Sequence, residues 1–232
     1  IRGNLTATLT LVLILGISII AVAATILFPL RATARAASGR LIASGTAYFA
    51  LIGMGFMLAE ISLLQYFGVY LGHPIYSLGV CLFSLILATG LGSLASARIG
   101  MIAPARFVAW ACLVGIYLLI LQHGLTGLFA ATTAHPRATR IAISLTVVMP
   151  LGFLLGCAFP TGMRLVEAVD REPTPWFWGI NGATGVLASV LAVIFSMAYG
   201  INVTMTLAAL CYLALIPVAR ALRRSDAPAL EH

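Results

Sequence analysis

Long, unbroken apolar runs are the feature of this sequence that most limits its fold. A transmembrane helix needs about 20 consecutive apolar residues, and hydrophobic residues make up 62% of the chain. Charged residues make up only 8%, against about 25% in soluble domains. Because hydrocarbon offers no water to backbone groups, such runs must cross a membrane as helices or as a closed barrel. The runs lack the alternation of barrel strands, so we predict an all-α membrane protein.

Proline, glycine and charged segments divide the apolar sequence into seven predicted spans. We predict a single transmembrane domain over residues 1–232, a polytopic helical bundle of about seven spans. The predicted ranges are roughly 7–30, 46–70, 75–97, 105–130, 139–160, 176–199 and 202–219.

The arginines predict how this bundle is oriented. All 13 basic residues are arginines, and most of them fall at one end of the predicted bundle. That end carries Arg31, Arg35, Arg40, Arg98, Arg106, Arg164, Arg171, Arg220, Arg223 and Arg224. The other end carries Arg2, Arg137 and Arg140. Because basic residues stay on the cytoplasmic side, we predict an N-terminus outside and a cytoplasmic C-terminus. The arginines form no stripe with interleaved aromatic residues, so we expect contact with the lipid bilayer and no nucleic-acid binding.

Glu60 is the only acidic residue inside an apolar run. Ionisable residues within membrane spans are costly and almost always face the bundle interior, where they have a partner or a function. We expect the Glu60 carboxylate to face inward, close to Asn181 or to a serine of the third span such as Ser84. Gln65 is a second candidate for an interhelical hydrogen bond. A structural role and a cation- or proton-binding role of Glu60 both remain open.

Small residues recur along one face of the sixth span at the helical period. They include Gly182, Gly185 and Ser189, next to Asn181. The third span repeats the pattern more weakly and contains Gly92. Small residues let neighbouring helices approach closely, so we predict that both faces are helix-packing surfaces. A substrate path along these faces is the alternative.

The sequence shows no pattern typical of catalysis or of cofactor binding. We find no nucleophile–base set, no phosphate-binding loop and no paired catalytic carboxylates. The four cysteines lie in different apolar runs without C-x-x-C spacing. We therefore expect no metal ion, no cofactor and no enzymatic activity.

Two blocks of sequence carry a resemblance to a known family. The first contains Gly55-Phe56, Glu60, Gln65, Leu71-Gly72-His73-Pro74, Tyr76, Gly90-Leu91-Gly92-Ser93 and Arg98. The second contains Gly156, Phe159-Pro160, Arg164, Trp178-Gly179-Ile180-Asn181-Gly182-Ala183 and Gly185-Val186-Leu187. In these blocks the chain resembles the membrane-embedded part of spermidine synthase-like (polyamine aminopropyltransferase-like) bacterial multi-pass membrane proteins.

This resemblance implies a membrane fold in the bacterial cytoplasmic (inner) membrane. Members of the family often join such helices to a soluble aminopropyltransferase-like domain, whose glycine-rich nucleoside loop and catalytic Asp pair are not found in this sequence. Our leading expectation is a non-enzymatic membrane module or accessory subunit that packs with other membrane protein subunits. One alternative is a transporter-like bundle for a small cationic solute with Glu60 as counter-charge. Another is the membrane anchor of a split aminopropyltransferase-like enzyme.

Overall fold

The structure, a computed structural model, describes residues 2–224. Over that range it is all-α, and seven helical segments are long and apolar enough to cross a membrane. Numbered from 1 to 7, these spans are Leu9–Ala32, Gly39–Leu71, Pro74–Ile99, Pro104–Thr132, Arg137–Glu167, Thr174–Tyr199 and Ile201–Arg223. The prediction of an all-α bundle of about seven spans is confirmed.

Ten α-helices make up these spans. They are α1 (Arg2–Val22), α2 (Phe28–Ala36), α3 (Gly39–Leu71), α4 (Pro74–Ser77), α5 (Phe83–Ile99), α6 (Pro104–Thr132), α7 (Arg137–Gly156), α8 (Ala158–Glu167), α9 (Thr174–Tyr199) and α10 (Ile201–Arg223). Two π-helical turns, Ala23–Leu27 and Leu78–Leu82, join α1 to α2 and α4 to α5. Each of these pairs therefore forms one span.

Spans 2 and 5 extend further toward the arginine-rich end than their apolar runs. Span 2 begins at Gly39, seven residues before the predicted start, because the Ser38 hydroxyl caps it by accepting from the Leu41 N–H at 3.4 Å. Span 5 turns at Cys157 and continues as α8 to Glu167. In both places the helix includes polar residues that lie outside the apolar run.

The spans form two groups. Span 2 lies at the centre of the first group and packs along spans 6 and 7, while span 4 packs on span 7. Span 1 packs on span 6 and leaves most of its side chains exposed. Spans 3 and 5 pack on one another and form the second group. The two groups meet through the π-helical turn of span 3, α7 and α8, each of which contacts span 2.

Aromatic residues join the two groups at the arginine-rich end. The Tyr48 hydroxyl of span 2 donates to the Ala158 carbonyl of span 5 at 2.9 Å. The Phe49 ring packs edge-on against Phe159 and stacks on Phe177. The side chains of Tyr48, Phe49 and Phe177 are fully buried. This end of the bundle is therefore well packed, in contrast to the region between spans 3 and 6.

Candidate binding cavity

A cavity of about 680 Å³ lies between the two groups of spans. Its walls come from spans 2, 3, 5 and 6, with one contribution from span 7. The lining includes Phe56 and Met57 of span 2, Ile86, Gly90 and Ser93 of span 3, Phe159 and Pro160 of span 5, Trp178, Asn181, Gly182 and Ser189 of span 6, and Tyr212 of span 7.

Glycines set the width of this cavity. Within each group they bring helices together: a Cβ at Gly156 would collide with the Thr89 backbone, and a Cβ at Gly53 with the Asn181 backbone. Between the groups they leave space, because a Cβ at Gly90 or at Gly182 would meet nothing within 4 Å. Glycines therefore allow close contact between helices within each group and leave open space between the two groups.

The cavity opens sideways between spans 3 and 6. Ile86 and Val186 lie on its rim and are 60% and 49% exposed, and Trp178 is 58% exposed. Trp178 and Ser189 are separated by eleven residues of helix, which corresponds to roughly 16 Å along span 6. The opening thus runs along apolar spans and faces the surrounding lipid, from near the arginine-rich end to about the middle of the bilayer.

The lining is mainly apolar and aromatic, with a few polar groups. The hydroxyls of Thr89 and Ser189 donate to carbonyls of their own helices, Ile86 at 2.9 Å and Val186 at 2.8 Å. Within residues 2–224, no hydrogen bond is formed by the Asn181 carboxamide or by the Ser93 hydroxyl. These two groups are therefore available to a ligand in the cavity.

Several residues singled out from the sequence line this cavity. Asn181, Gly182, Gly185 and Ser189, all on the small-residue face of span 6, are lining residues. Gly182 contacts no other helix within the described chain, whereas a Cβ at Gly185 would touch Met57 of span 2 at 3.6 Å. One face of span 6 therefore combines a helix contact at Gly185 with an open wall at Gly182. The helix contact that was predicted along this face is therefore not found at Gly182 within the described residues.

Glu60 does not line the cavity. It is 8% exposed and lies one helical turn beyond Phe56 and Met57, which do. The expected hydrogen bond to Asn181 or to a serine of span 3 is absent, and no other described residue hydrogen-bonds to the carboxylate. The Ser84 hydroxyl instead donates to carbonyls of its own helix, including Cys81 at 3.1 Å.

Gln65 and Gly92 also lie away from the cavity lining. The Gln65 Oε1 atom is buried without a hydrogen-bond partner. Gly92 packs directly against the Phe153 backbone of span 5. In the part of the chain that the structure describes, the side chains of Glu60, Gln65, Ser84 and Asn181 make no hydrogen bonds to one another. The four residues expected to form an intramembrane polar site are therefore not assembled into one.

The aromatic lining was not anticipated from the sequence. Phe159 packs edge-on against Trp178 with ring centroids 4.4 Å apart, and this pair forms one wall at the arginine-rich end. Trp178 lies near the start of span 6, at a position typical of the headgroup level. Its neighbours Phe56, Phe159 and Tyr212 lie on other spans, so no local pattern brings them together.

The comparisons with known proteins add no identification. No family model, no curated protein and no solved structure matches this chain.

Proposed function

We propose that this protein is a non-enzymatic, membrane-embedded module that binds a small bilayer-soluble ligand in the cavity between spans 3 and 6. The observation that carries the proposal is the cavity itself, which is open to lipid at the depth of the spans. Its volume of about 680 Å³ falls within the 300–1,000 Å³ that is usual for small-molecule sites.

The chemistry of the lining supports binding rather than catalysis. Among the described residues, Tyr212 is the only lining residue with an ionisable side chain. General acid–base catalysis at neutral pH uses groups such as His, Glu, Asp or Lys, and none of these lines the cavity. The same composition gives little support to the transporter alternative, because a small cation would find no carboxylate there. The resemblance to spermidine synthase-like proteins stays a prediction and does not enter this argument.

An accessory subunit is the second candidate function. It is favoured by Gly90 and Gly182, which both border the cavity without an obstructing neighbour and would allow the backbone of a partner helix to come close. A partner segment would then place one face, rather than its whole width, in the opening. The location of the protein in a bacterial inner membrane and the anchor of a split enzyme likewise remain proposals.

The proposal can be tested by filling the cavity. Gly182→Leu and Gly90→Leu place side chains into the opening where they meet nothing else. Gly127→Leu is the matched control, because Gly127 is equally unobstructed but lies on span 4, away from the cavity. Native mass spectrometry of the protein purified in mild detergent would measure the bound mass.

We expect a small molecule bound near one-to-one in the parent and in the Gly127→Leu variant. We expect this mass to disappear in both cavity variants while their thermal unfolding stays close to that of the parent. Equal occupancy in all four proteins would overturn the proposal. Loss of a co-purifying membrane protein from the cavity variants, with no small ligand in the parent, would establish the accessory-subunit function in its place.

A further inference from the structure

A positive charge lies just beyond the cavity at the arginine-rich end. Arg164 is four residues after Pro160 on α8, so the two share a helix face and Arg164 is one turn further from the bilayer centre. On span 3, Ser96 is likewise about one turn beyond the lining residue Ser93. The Arg164 Nη2 atom donates to the Ser96 hydroxyl oxygen at 2.9 Å, which holds the guanidinium between spans 3 and 5.

Within the described part of the chain, this charge has no carboxylate partner. Among residues 2–224 no acidic side chain lies within ion-pair distance of the Arg164 guanidinium. The side chain is half-buried, so part of it remains exposed. A guanidinium that is fixed by one hydrogen bond and otherwise unpaired is well suited to a phosphate.

We propose that the cavity binds one acyl chain of an anionic phospholipid, with the lipid phosphate at Arg164. This inference rests on the function proposed above and names its ligand. The cavity extends roughly 16 Å along span 6, comparable to the half-thickness of about 15 Å that one leaflet contributes to the hydrocarbon core. A chain entering sideways from the arginine-rich leaflet would therefore be accommodated along its length.

The polar lining groups match the polar part of such a lipid. Asn181 and Ser93 lie at the same end of the cavity as Trp178 and Pro160, and both have unused hydrogen-bonding groups. The Asn181 amide and the Ser93 hydroxyl can donate to the ester oxygens that link an acyl chain to glycerol. Below them, Phe56, Ile86 and Val186 provide apolar contact. From the arginine-rich end toward the bilayer centre, the site therefore presents the Arg164 charge, then hydrogen-bond donors, then apolar side chains.

Headgroup preference and chain binding can be measured separately. Delipidated protein in detergent would be titrated with phosphatidylglycerol or with phosphatidylcholine carrying the same acyl chains, and occupancy read by native mass spectrometry. The variants are Arg164→Gln, Arg164→Lys and Gly182→Leu. Arg171→Gln is the control, because Arg171 is an exposed arginine at the same end that does not border the cavity. Ser96→Ala removes the acceptor and keeps the charge.

We expect the parent to prefer phosphatidylglycerol by about tenfold, which is the effect of 1.4 kcal/mol. Arg164→Gln should lose this preference, Arg164→Lys and Ser96→Ala should weaken it because they keep a charge but lose the fork or its fixed position, and Arg171→Gln should retain it. Gly182→Leu should bind both lipids less. Equal binding of both lipids by the parent, abolished by Gly182→Leu, would overturn the anionic-lipid inference and leave the proposed function intact. Lipid binding unaffected by every variant would indicate annular lipid only and would overturn both.

Discussion

The Gly92 backbone lies directly against the Phe153 carbonyl, with no room between them for a Cβ atom. The contact is reinforced by the Cys157 thiol, which donates to the Gly92 carbonyl at 3.3 Å. Three residues after Phe153 on span 5, Gly156 meets the Thr89 backbone in the same way. These contacts join spans 3 and 5 through their backbones and fix one wall of the cavity.

Gly92→Ala should destabilise the protein while Gly90→Ala should not. A methyl group at Gly92 must push span 5 away, and overpacking of this kind costs about 1–3 kcal/mol or more. At Gly90 the methyl group enters open space, and replacing a helical glycine with alanine stabilises by about 0.5–1 kcal/mol. Thermal unfolding in one detergent would compare the two variants. Equal melting temperatures would contradict the close contact with Phe153.

Arg140→Met should destabilise the end of the bundle opposite the arginine-rich end. The Arg140 Nη1 atom donates to the Tyr70 carbonyl at 2.8 Å, in the last turn of span 2. Hydrogen bonds from charged donors contribute about 1.5–3 kcal/mol, and a cation suits the negative end of a helix. Arg137→Met is the control, because its bond to the exposed Tyr76 hydroxyl at 3.1 Å should contribute less than about 1 kcal/mol. A larger loss for Arg137→Met than for Arg140→Met would reverse this assignment.

Helix number and approximate position could be predicted because they depend on local properties. The length of an apolar run decides whether it can cross the bilayer, and each predicted range overlaps one observed span. Helix ends were less accurate, because a cap such as Ser38 or a turn such as Cys157 continues a helix beyond its apolar run.

The cavity could be predicted only in part. The small-residue face of span 6 is visible in the sequence, but Gly182 and Gly185 belong to the same face and have different surroundings. Whether a glycine meets a helix or an open space depends on the position of spans 2 and 3, which no local pattern specifies. The expected hydrogen bond between Ser84 and Glu60 also depends on how the spans pack. In the structure the Ser84 hydroxyl donates to a carbonyl of its own span instead.

Cysteine labelling should place the two ends of the bundle on opposite sides of the membrane. Glu172 lies in the exposed connection between spans 5 and 6, and Ala134 in the exposed connection between spans 4 and 5. With an impermeant thiol reagent on intact cells, Ala134→Cys should react at once and Glu172→Cys only after permeabilisation, because the arginine-rich end is predicted to be cytoplasmic. Labelling of both from one side would show that span 5 does not cross the membrane and would contradict the predicted topology.

The purified chain should transfer no aminopropyl or methyl group. The cavity lining contains neither a carboxylate nor a histidine, and the sequence has no nucleoside-binding loop. Incubation with decarboxylated or intact S-adenosylmethionine and a polyamine acceptor, followed by mass spectrometry of the acceptor, would detect any transfer. Turnover above that of a heat-denatured sample would contradict the prediction.

Replacing Glu60 with methionine should leave the protein folded and make it more stable. Glu60 is 8% exposed and its carboxylate forms no hydrogen bond within residues 2–224, so no hydrogen bond of the described chain is lost when it is removed. A buried polar group without a partner costs about 1–3 kcal/mol in proteins, and a methionine of similar length fills the same space. Glu60→Gln retains the shape and the unsatisfied polar group, so it should unfold close to the parent temperature. Thermal unfolding of the three proteins in detergent separates these cases. A methionine variant that is less stable than the parent would show that Glu60 has a bonding partner in the membrane, and a counter-charge for a cation would then become the better explanation of this residue.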